Sequence, residues 1–155
     1  MTGANGAHDF DFLAGRWTVA SRHLVQRLAS SDDWEESPAT AVCHPMFGGA
    51  ANVDEIVFST KGFSGMSVRL FDPARNEWSI YWASSRTGHL EPPVVGGFVD
   101  GRGDFYGDDT HEGRPIRVHF IWSGITPTTA RWEQEFSADH GGTWESNWVM
   151  EFTRV

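Results

Sequence analysis

The chain has 155 residues, with eight tryptophans, eleven phenylalanines, one cysteine and a formal net charge of −9. This length predicts one domain over residues 1–155, and the single cysteine excludes an internal disulfide. The negative charge, with no basic cluster along the sequence, argues against a nucleic-acid partner, and the lack of a long apolar run argues against a signal peptide or a membrane span, so a cytoplasmic protein is predicted.

The first predicted element is a short helix in the segment HDFDFLAG, residues 8–15. Asp9 can cap its N-terminus, Phe10 and Leu13 share one side, and Gly15 can end it. A helix this short, with one apolar side, is expected to cover one end of the fold.

Turn-forming sequences recur through the rest of the chain, from SSDD at 30–33 to DHGG at 139–142. Short runs of strand-favouring residues separate them, a spacing typical of an antiparallel meander. The sequence therefore predicts an all-β fold of about ten antiparallel strands.

Alternation of apolar and polar residues indicates which side of several strands faces the interior. The inward sets predicted in this way are Trp78, Ile80 and Trp82; Ile116, Val118, Phe120 and Trp122; Trp132, Gln134 and Phe136; and Trp144, Ser146, Trp148, Met150 and Phe152.

The octet SADHGGTW, residues 137–144, fits the Asp-box pattern S-x-D-x-G-x-T-W of sialidases and other bladed β proteins. It occurs once, whereas a propeller needs at least about four blades, so a propeller is excluded. We interpret the octet as a hairpin turn in which Asp139 binds backbone amides and the two glycines adopt turn conformations. An odd number of residues in this loop would place Trp132 and Trp148 on the same side of the sheet.

Five segments together resemble a known group of bacterial proteins. They are FDFLAGRW at 10–17, LFDPARNEWSIYW at 70–82, PPVVGGF at 92–98, WEQEFSADHGGTW at 132–144 and NWVMEFTR at 147–154. The first is similar to the opening of calycin-type barrels, the lipocalins and their relatives, and the order of all five is similar to the lipocalin-like proteins called DUF1579. The resemblance implies an antiparallel up-and-down β-barrel with an internal cavity, and it supplies no established activity.

Nitrobindins are more distant relatives with a similar opening, and they bind haem through a histidine on a late strand. Neither 128–138 nor 143–154 contains a histidine here, so haem binding would need His44 or His119 instead, and no cofactor is predicted. No H-x-H, H-E-x-x-H or C-x-x-C spacing occurs, so no metal site is predicted either.

Two residues are candidates for proton transfer. His44 lies in the apolar segment VCHPMFGG, where it shares a face with Val42 and Met46; the alternative is a buried structural histidine. Glu133 is a carboxylate beside a predicted apolar cavity, where burial can raise a pKa into the working range. Alternation instead turns Glu133 away from the tryptophans, toward a salt bridge with a residue such as Arg117.

The function predicted from these patterns is the binding of a small hydrophobic or aromatic molecule in a tryptophan-lined cavity. The predicted ligand-binding residues are Trp17, His44, Trp82, Trp132, Gln134 and Trp148. One alternative is an enzyme of the cyclase, isomerase or decarboxylase type that uses His44 or Glu133 in the same cavity. Another is a barrel filled by its own tryptophans. A homodimer is compatible with the sequence.

Overall fold

The computed structural model describes residues 5–155 and shows a β-barrel with short 3-10 turns. The strands are β1 (Gly15–Leu24), β2 (Trp34–Glu36), β3 (Ala39–Met46), β4 (Ala51–Phe58), β5 (Phe63–Asp72), β6 (Glu77–Ser84), β7 (Val94–Val99), β8 (Arg102–His111), β9 (Arg114–Ser123), β10 (Thr129–Ser137) and β11 (Glu145–Arg154). The 3-10 turns are Gly6–His8, Asp11–Leu13 and Phe47–Gly49.

Ten of these strands close the barrel, which confirms the predicted antiparallel up-and-down fold. Strands β3 to β11 each pair with the next along the chain, and β1 pairs with both β3 and β11. The short β2 pairs only with Arg22–Leu24 at the end of β1. The predicted N-terminal helix is present as the 3-10 turns before β1, and Asn5 rather than Asp9 caps the first of them, by accepting a hydrogen bond from the amide of Ala7.

Two tight turns fix the register of β7, β8 and β9. Asp100 and Gly101 join β7 to β8, and Glu112 and Gly113 join β8 to β9, all four with positive φ between 51° and 78°. Positive φ at both central residues is the type I′ geometry that matches the twist of a two-residue hairpin. The second turn lets β8 continue to His111 and pair with β9 along nearly its whole length.

The inner faces of β6 and β9 follow the predicted alternation. Trp78, Ile80 and Trp122 are almost completely buried. The outward neighbours on β6 are more exposed, whereas His119 and Ile121 on the outer face of β9 are buried as well. The inner face of β3 instead carries small residues, Ala39, Ala41 and Cys43. Ala41 pairs with Trp17 of β1, so a small side chain leaves room for the neighbouring indole.

A β-bulge in β11 changes the predicted alternation near the barrel end. Gln134 pairs with Trp148 and Glu135 pairs with Ser146, so Asn147 is an extra residue on β11. An extra residue reverses the inward and outward faces on either side of it. Ser146 therefore faces outward, which corrects the prediction that it shares the inner face with Trp148.

Trp144 also lies outside the barrel rather than on the predicted inner face. Its ring is 5.5 Å from the ring of His119 and 6.0 Å from that of Tyr106. Beneath it, the two ring nitrogens of His119 lie 2.8 Å from carboxylate oxygens of Asp104 and Glu135. This cluster braces β8, β9 and β10 on the outer surface.

No helix within residues 5–155 has the length and apolar character needed to cross a membrane.

Candidate functional site

The N-terminal segment fills one end of the barrel, which we call the closed end. Phe10 contacts Trp78 at 4.9 Å and Phe98 at 4.9 Å between ring centroids. The indole N–H of Trp17 donates to the carbonyl of Leu13 at 2.9 Å. Trp17 was predicted to bind ligand, and the structure places it in this packed end, outside the cavity wall.

An inner cavity of about 40 Å³ lies in the middle of the barrel, enough for about three water molecules. Its wall is largely apolar and aromatic, with a few polar side chains. The lining residues are Ala41, Asp54, Ile56, Ser67, Arg69, Ile80, Trp82, Phe120, Trp122, Trp132, Gln134, Trp148, Met150 and Phe152.

Three indoles form an aromatic wall at the end of the inner cavity away from the closed end. The Trp148 ring lies 5.3 Å from that of Trp132 and 5.9 Å from that of Trp82, both nearly perpendicular. Edge-to-face pairs at this distance are favourable arrangements of aromatic rings. The Trp148 N–H donates to the hydroxyl of Ser21 at 2.9 Å, which fixes its orientation. Trp82 rests on Gly65, where an added Cβ would lie 1.8 Å from the ring.

A mouth pocket of about 350 Å³ lies on the other side of this wall and opens toward solvent. Trp82 and Trp148 belong to both the inner cavity and the mouth pocket, so their indoles separate the two. The remaining lining residues are mostly polar or charged. They are His23, Arg27, Glu35, Ser37, Lys61, Phe63, Ser84 and Arg86.

Gln134 is a polar group on the aromatic face, as predicted, and the bulge supplies its partner. Its side-chain amide donates to Oδ1 of Asn147 at 2.8 Å. Both side chains are buried, and Nδ2 of Asn147 has no acceptor within residues 5–155.

A buried ion pair forms the polar part of the inner cavity. Nη1 of Arg69 lies 2.7 Å from Oδ2 of Asp54 and donates to Oδ1 of Asn52 at 2.8 Å. Asp54 also accepts a hydrogen bond from the backbone amide of Ser67. Nε of Arg69 and the indole N–H of Trp122 have no acceptor in the described part of the chain. Both residues line the inner cavity, and a buried donor without an acceptor is costly.

The structure places both predicted proton-transfer residues outside the cavity. His44 is exposed on the outer face of β3, because the inward positions on this strand are Ala41 and Cys43. Glu133 is on the outer face of β10, where it lies 3.5 Å from Arg131 rather than beside Arg117. Neither residue is therefore placed to transfer a proton inside the cavity, as the enzyme alternative requires.

Asp54 and Arg69 were not identified from the sequence, although a signal is present. In NVDEIVF, Asn52, Asp54 and Ile56 alternate with residues of the other face, and Arg69 holds the same phase in β5 as Ser67. Polar residues at positions that alternation assigns to the interior indicate buried polar pairs. The partner of each depends on the pairing of β4 with β5.

The turn between β10 and β11 is held by side-chain hydrogen bonds. Asp139 accepts from the amide of Thr143 at 2.8 Å, from its hydroxyl at 2.7 Å and from the hydroxyl of Ser137 at 2.7 Å. These bonds, led by the one from the Thr143 amide, lower the pKa of Asp139 to about 2. Asp139 is not among the residues that line the inner cavity or the mouth pocket.

Asp139→Ala is expected to lower the thermal unfolding midpoint and to leave ligand affinity unchanged. The folded pKa of about 2 is below the ordinary value of 3.8, so this carboxylate stabilises the fold above pH 3.8 and loses that effect as the pH falls toward 2. The variant should therefore lack this part of the acid sensitivity in unfolding curves measured across that range. Asp32→Ala, at an exposed aspartate, is the control. A midpoint equal to that of the control would contradict the assigned role.

Comparisons with known proteins support the architecture. No protein-family model matches the chain, and no curated protein matches it. The chain is similar to a redesigned β-barrel, with a TM-score of 0.52 and 11% identity over 100% of this chain and 99% of the other. It is also similar to the S-type phycobiliprotein lyase CPES from Guillardia theta, with a TM-score of 0.59 and 11% identity over 95% of this chain and 90% of the other. Identity at this level shows the barrel fold alone.

Proposed function

We propose that this barrel binds a small hydrophobic or aromatic molecule against the aromatic wall of Trp82, Trp132 and Trp148. The observation that carries the proposal is the mouth pocket of about 350 Å³ with two indoles as its floor. That volume lies in the range of small-molecule sites, about 300–1,000 Å³. Indole faces provide apolar contact area for a flat ligand.

The ligand occupies the mouth pocket first, because the inner cavity of about 40 Å³ is smaller than the cavity of about 150 Å³ that holds benzene. Entry into the inner cavity requires one of the two separating indoles to rotate. Trp148 is fixed by its hydrogen bond to Ser21, so Trp82 is the indole that would move. A ligand group that passes this wall meets Gln134, Arg69 and Trp122, which line the inner cavity.

The five sequence segments also support a proposal about family. We propose that the chain is a member of the DUF1579 lipocalin-like proteins, and the barrel neighbours agree with the lipocalin-like part of that assignment. The cytoplasmic location and the homodimer stay predictions.

Binding of naphthalene-2-carboxamide tests the proposed function. This probe is neutral and aromatic, so its binding does not depend on a charged group. We expect it to quench tryptophan emission in a saturable way, and we expect Trp82→Ala to weaken its affinity about tenfold, because that indole forms part of both pockets.

Trp144→Ala is the matched control, because it removes the same side chain from the outer surface. Circular dichroism and thermal unfolding establish that both variants are folded. Equal affinities for the probe in the two variants, or no binding to the unmodified protein, would contradict the proposed site.

A further inference from the structure

The mouth pocket carries an excess of positive charge in a strongly negative protein. Its lining includes Arg27, Lys61 and Arg86 but one carboxylate, that of Glu35. The whole chain has 12 arginine and lysine residues against 21 acidic residues, and Lys61 is its one lysine. Three of the 12 cationic residues therefore surround one pocket, although they are far apart in the sequence.

Arg27 is partly buried at the edge of the aromatic wall and has no ion-pair partner among residues 5–155. Its guanidinium lies 5.6 Å from the Trp148 ring centroid and 5.5 Å from that of Phe136. The loop that carries it is anchored by the amide of Leu28, which donates to Oε1 of Glu145 at 2.7 Å. No carboxylate within residues 5–155 lies within 4.0 Å of the guanidinium; burial lowers the pKa of Arg27, and the more distant Glu145 opposes that effect.

Lys61 and Arg86 differ in whether a carboxylate balances their charge. Lys61 forms an ion pair with Glu35. Arg86 donates to the backbone carbonyl of Lys61 at 3.0 Å and lies 4.0 Å over the ring of Phe63, and no carboxylate of the described chain is within ion-pair distance of it. Within residues 5–155 the pocket thus holds two guanidinium groups with no carboxylate at ion-pair distance, Arg86 over the ring of Phe63 and Arg27 within 5.6 Å of two aromatic ring centroids.

The environment of His23 is a second sign that these charges converge. Burial lowers the pKa of His23, and the charges of Arg27, Lys61 and Arg86 lower it further. All three cations are therefore close enough to act on one group in the pocket. Arg27 is partly buried and Arg86 is exposed, and neither has a carboxylate within ion-pair distance in the described part of the chain. Such a guanidinium group favours an anion, and arginine is suited to bind a carboxylate through two parallel hydrogen bonds.

We infer that the ligand of this barrel is a small organic acid, whose carboxylate binds between Arg27 and Arg86 while its apolar body contacts Trp82 and Trp148. The inference rests on the proposed function and adds the chemical class of the ligand. It also explains why three cations surround the opening above the aromatic wall.

A pair of probes with the same ring system tests the carboxylate. Naphthalene-2-carboxylate and naphthalene-2-carboxamide differ in charge and share the aromatic body. We expect the unmodified protein to bind the carboxylate at least tenfold more tightly than the amide at low salt, and added salt to reduce that ratio because it screens charge. Isothermal titration calorimetry measures both affinities.

Arginine variants then locate the effect. Arg27→Gln and Arg86→Gln should each reduce the carboxylate-to-amide ratio to about threefold or less, with little change in amide affinity. Arg27→Lys should retain more of the ratio than Arg27→Gln, because the charge is kept. Arg16→Gln is the control, since Arg16 lies near the closed end on β1, opposite the mouth, and it should leave the ratio unchanged.

The outcomes separate the two proposals. Equal affinities of the two probes for the unmodified protein would overturn the inference and leave the proposed function supported by amide binding. A tenfold preference that survives in both Arg27→Gln and Arg86→Gln would also overturn it, because the carboxylate would then bind elsewhere. Binding of neither probe would remove the proposed function as well.

Discussion

Arg69→Met is expected to lower the free energy of unfolding by about 3–5 kcal/mol. The Arg69 side chain is 5% exposed and that of Asp54 is 11% exposed, so the substitution leaves a carboxylate buried without its cation. The Arg69 guanidinium also lies 5.3 Å from the Phe10 ring centroid, so its loss removes a contact with the N-terminal segment. Urea unfolding measures the change.

The double variant Asp54→Asn/Arg69→Met is the matched comparison. Asparagine keeps an acceptor for the amide of Ser67, which donates to Asp54 at 3.1 Å, while the buried negative charge is removed. We expect the double variant to recover most of the stability lost in Arg69→Met, because the cost of the single change is the unpaired charge. Equal stability of the single and the double variant would contradict that explanation.

Trp17→Ala is expected to cost about 3–5 kcal/mol of stability while leaving probe affinity nearly unchanged. Trp17 is 1% exposed, its N–H donates to Leu13, and the guanidinium of Arg154 lies 4.2 Å from its ring centroid. Arg154 in turn donates to the carbonyls of Phe12 and Ala14, so the indole supports the whole closed end.

Two measurements, stability by urea unfolding and affinity for naphthalene-2-carboxamide, should therefore distinguish Trp17→Ala from Trp82→Ala. Trp17→Ala should lose stability and keep affinity, whereas Trp82→Ala should lose affinity by the larger factor. A tenfold loss of affinity in a folded Trp17→Ala protein would show that the closed end takes part in binding.

The sequence predicted the strands and most of their inner faces because these depend on local alternation. Trp78, Ile80 and Trp82 share an inner face, as their spacing indicates. In β3 the alternation holds but the inner face was assigned wrongly, because His44 shares its face with Val42 and Met46 on the outside while Ala41 faces the interior. Packing explains the difference, because the volume available beside Trp17 depends on its partner strand and not on the order of residues in β3.

The candidate site was predicted less completely because it is assembled from distant residues. Trp82, Trp132, Gln134 and Trp148 follow from strand periodicity and do line the inner cavity. The Asn147 bulge has no clear local signature, so the position of Trp144 was predicted wrongly. Pairings such as Asp54 with Arg69 require the register of two strands.

The cations of the mouth pocket could not be predicted either, because they are even farther apart in the sequence. Arg27, Lys61 and Arg86 come from separate loops, and the sequence has no basic cluster that contains them. Barrel closure brings these loops to one opening. The net charge of −9 therefore describes the protein as a whole, and it does not reveal the positive charge at the mouth pocket.

The most direct test of the central claim is an NMR titration that follows the indole N–H signals as naphthalene-2-carboxamide is added. The claim predicts saturable shifts of the Trp82 and Trp148 signals with one common affinity, since both indoles form the floor of the mouth pocket. The signals of Trp144 on the outer surface and Trp17 at the closed end should stay in place. Unchanged Trp82 and Trp148 signals, or shifts confined to Trp144, would contradict a ligand site at the mouth of this barrel.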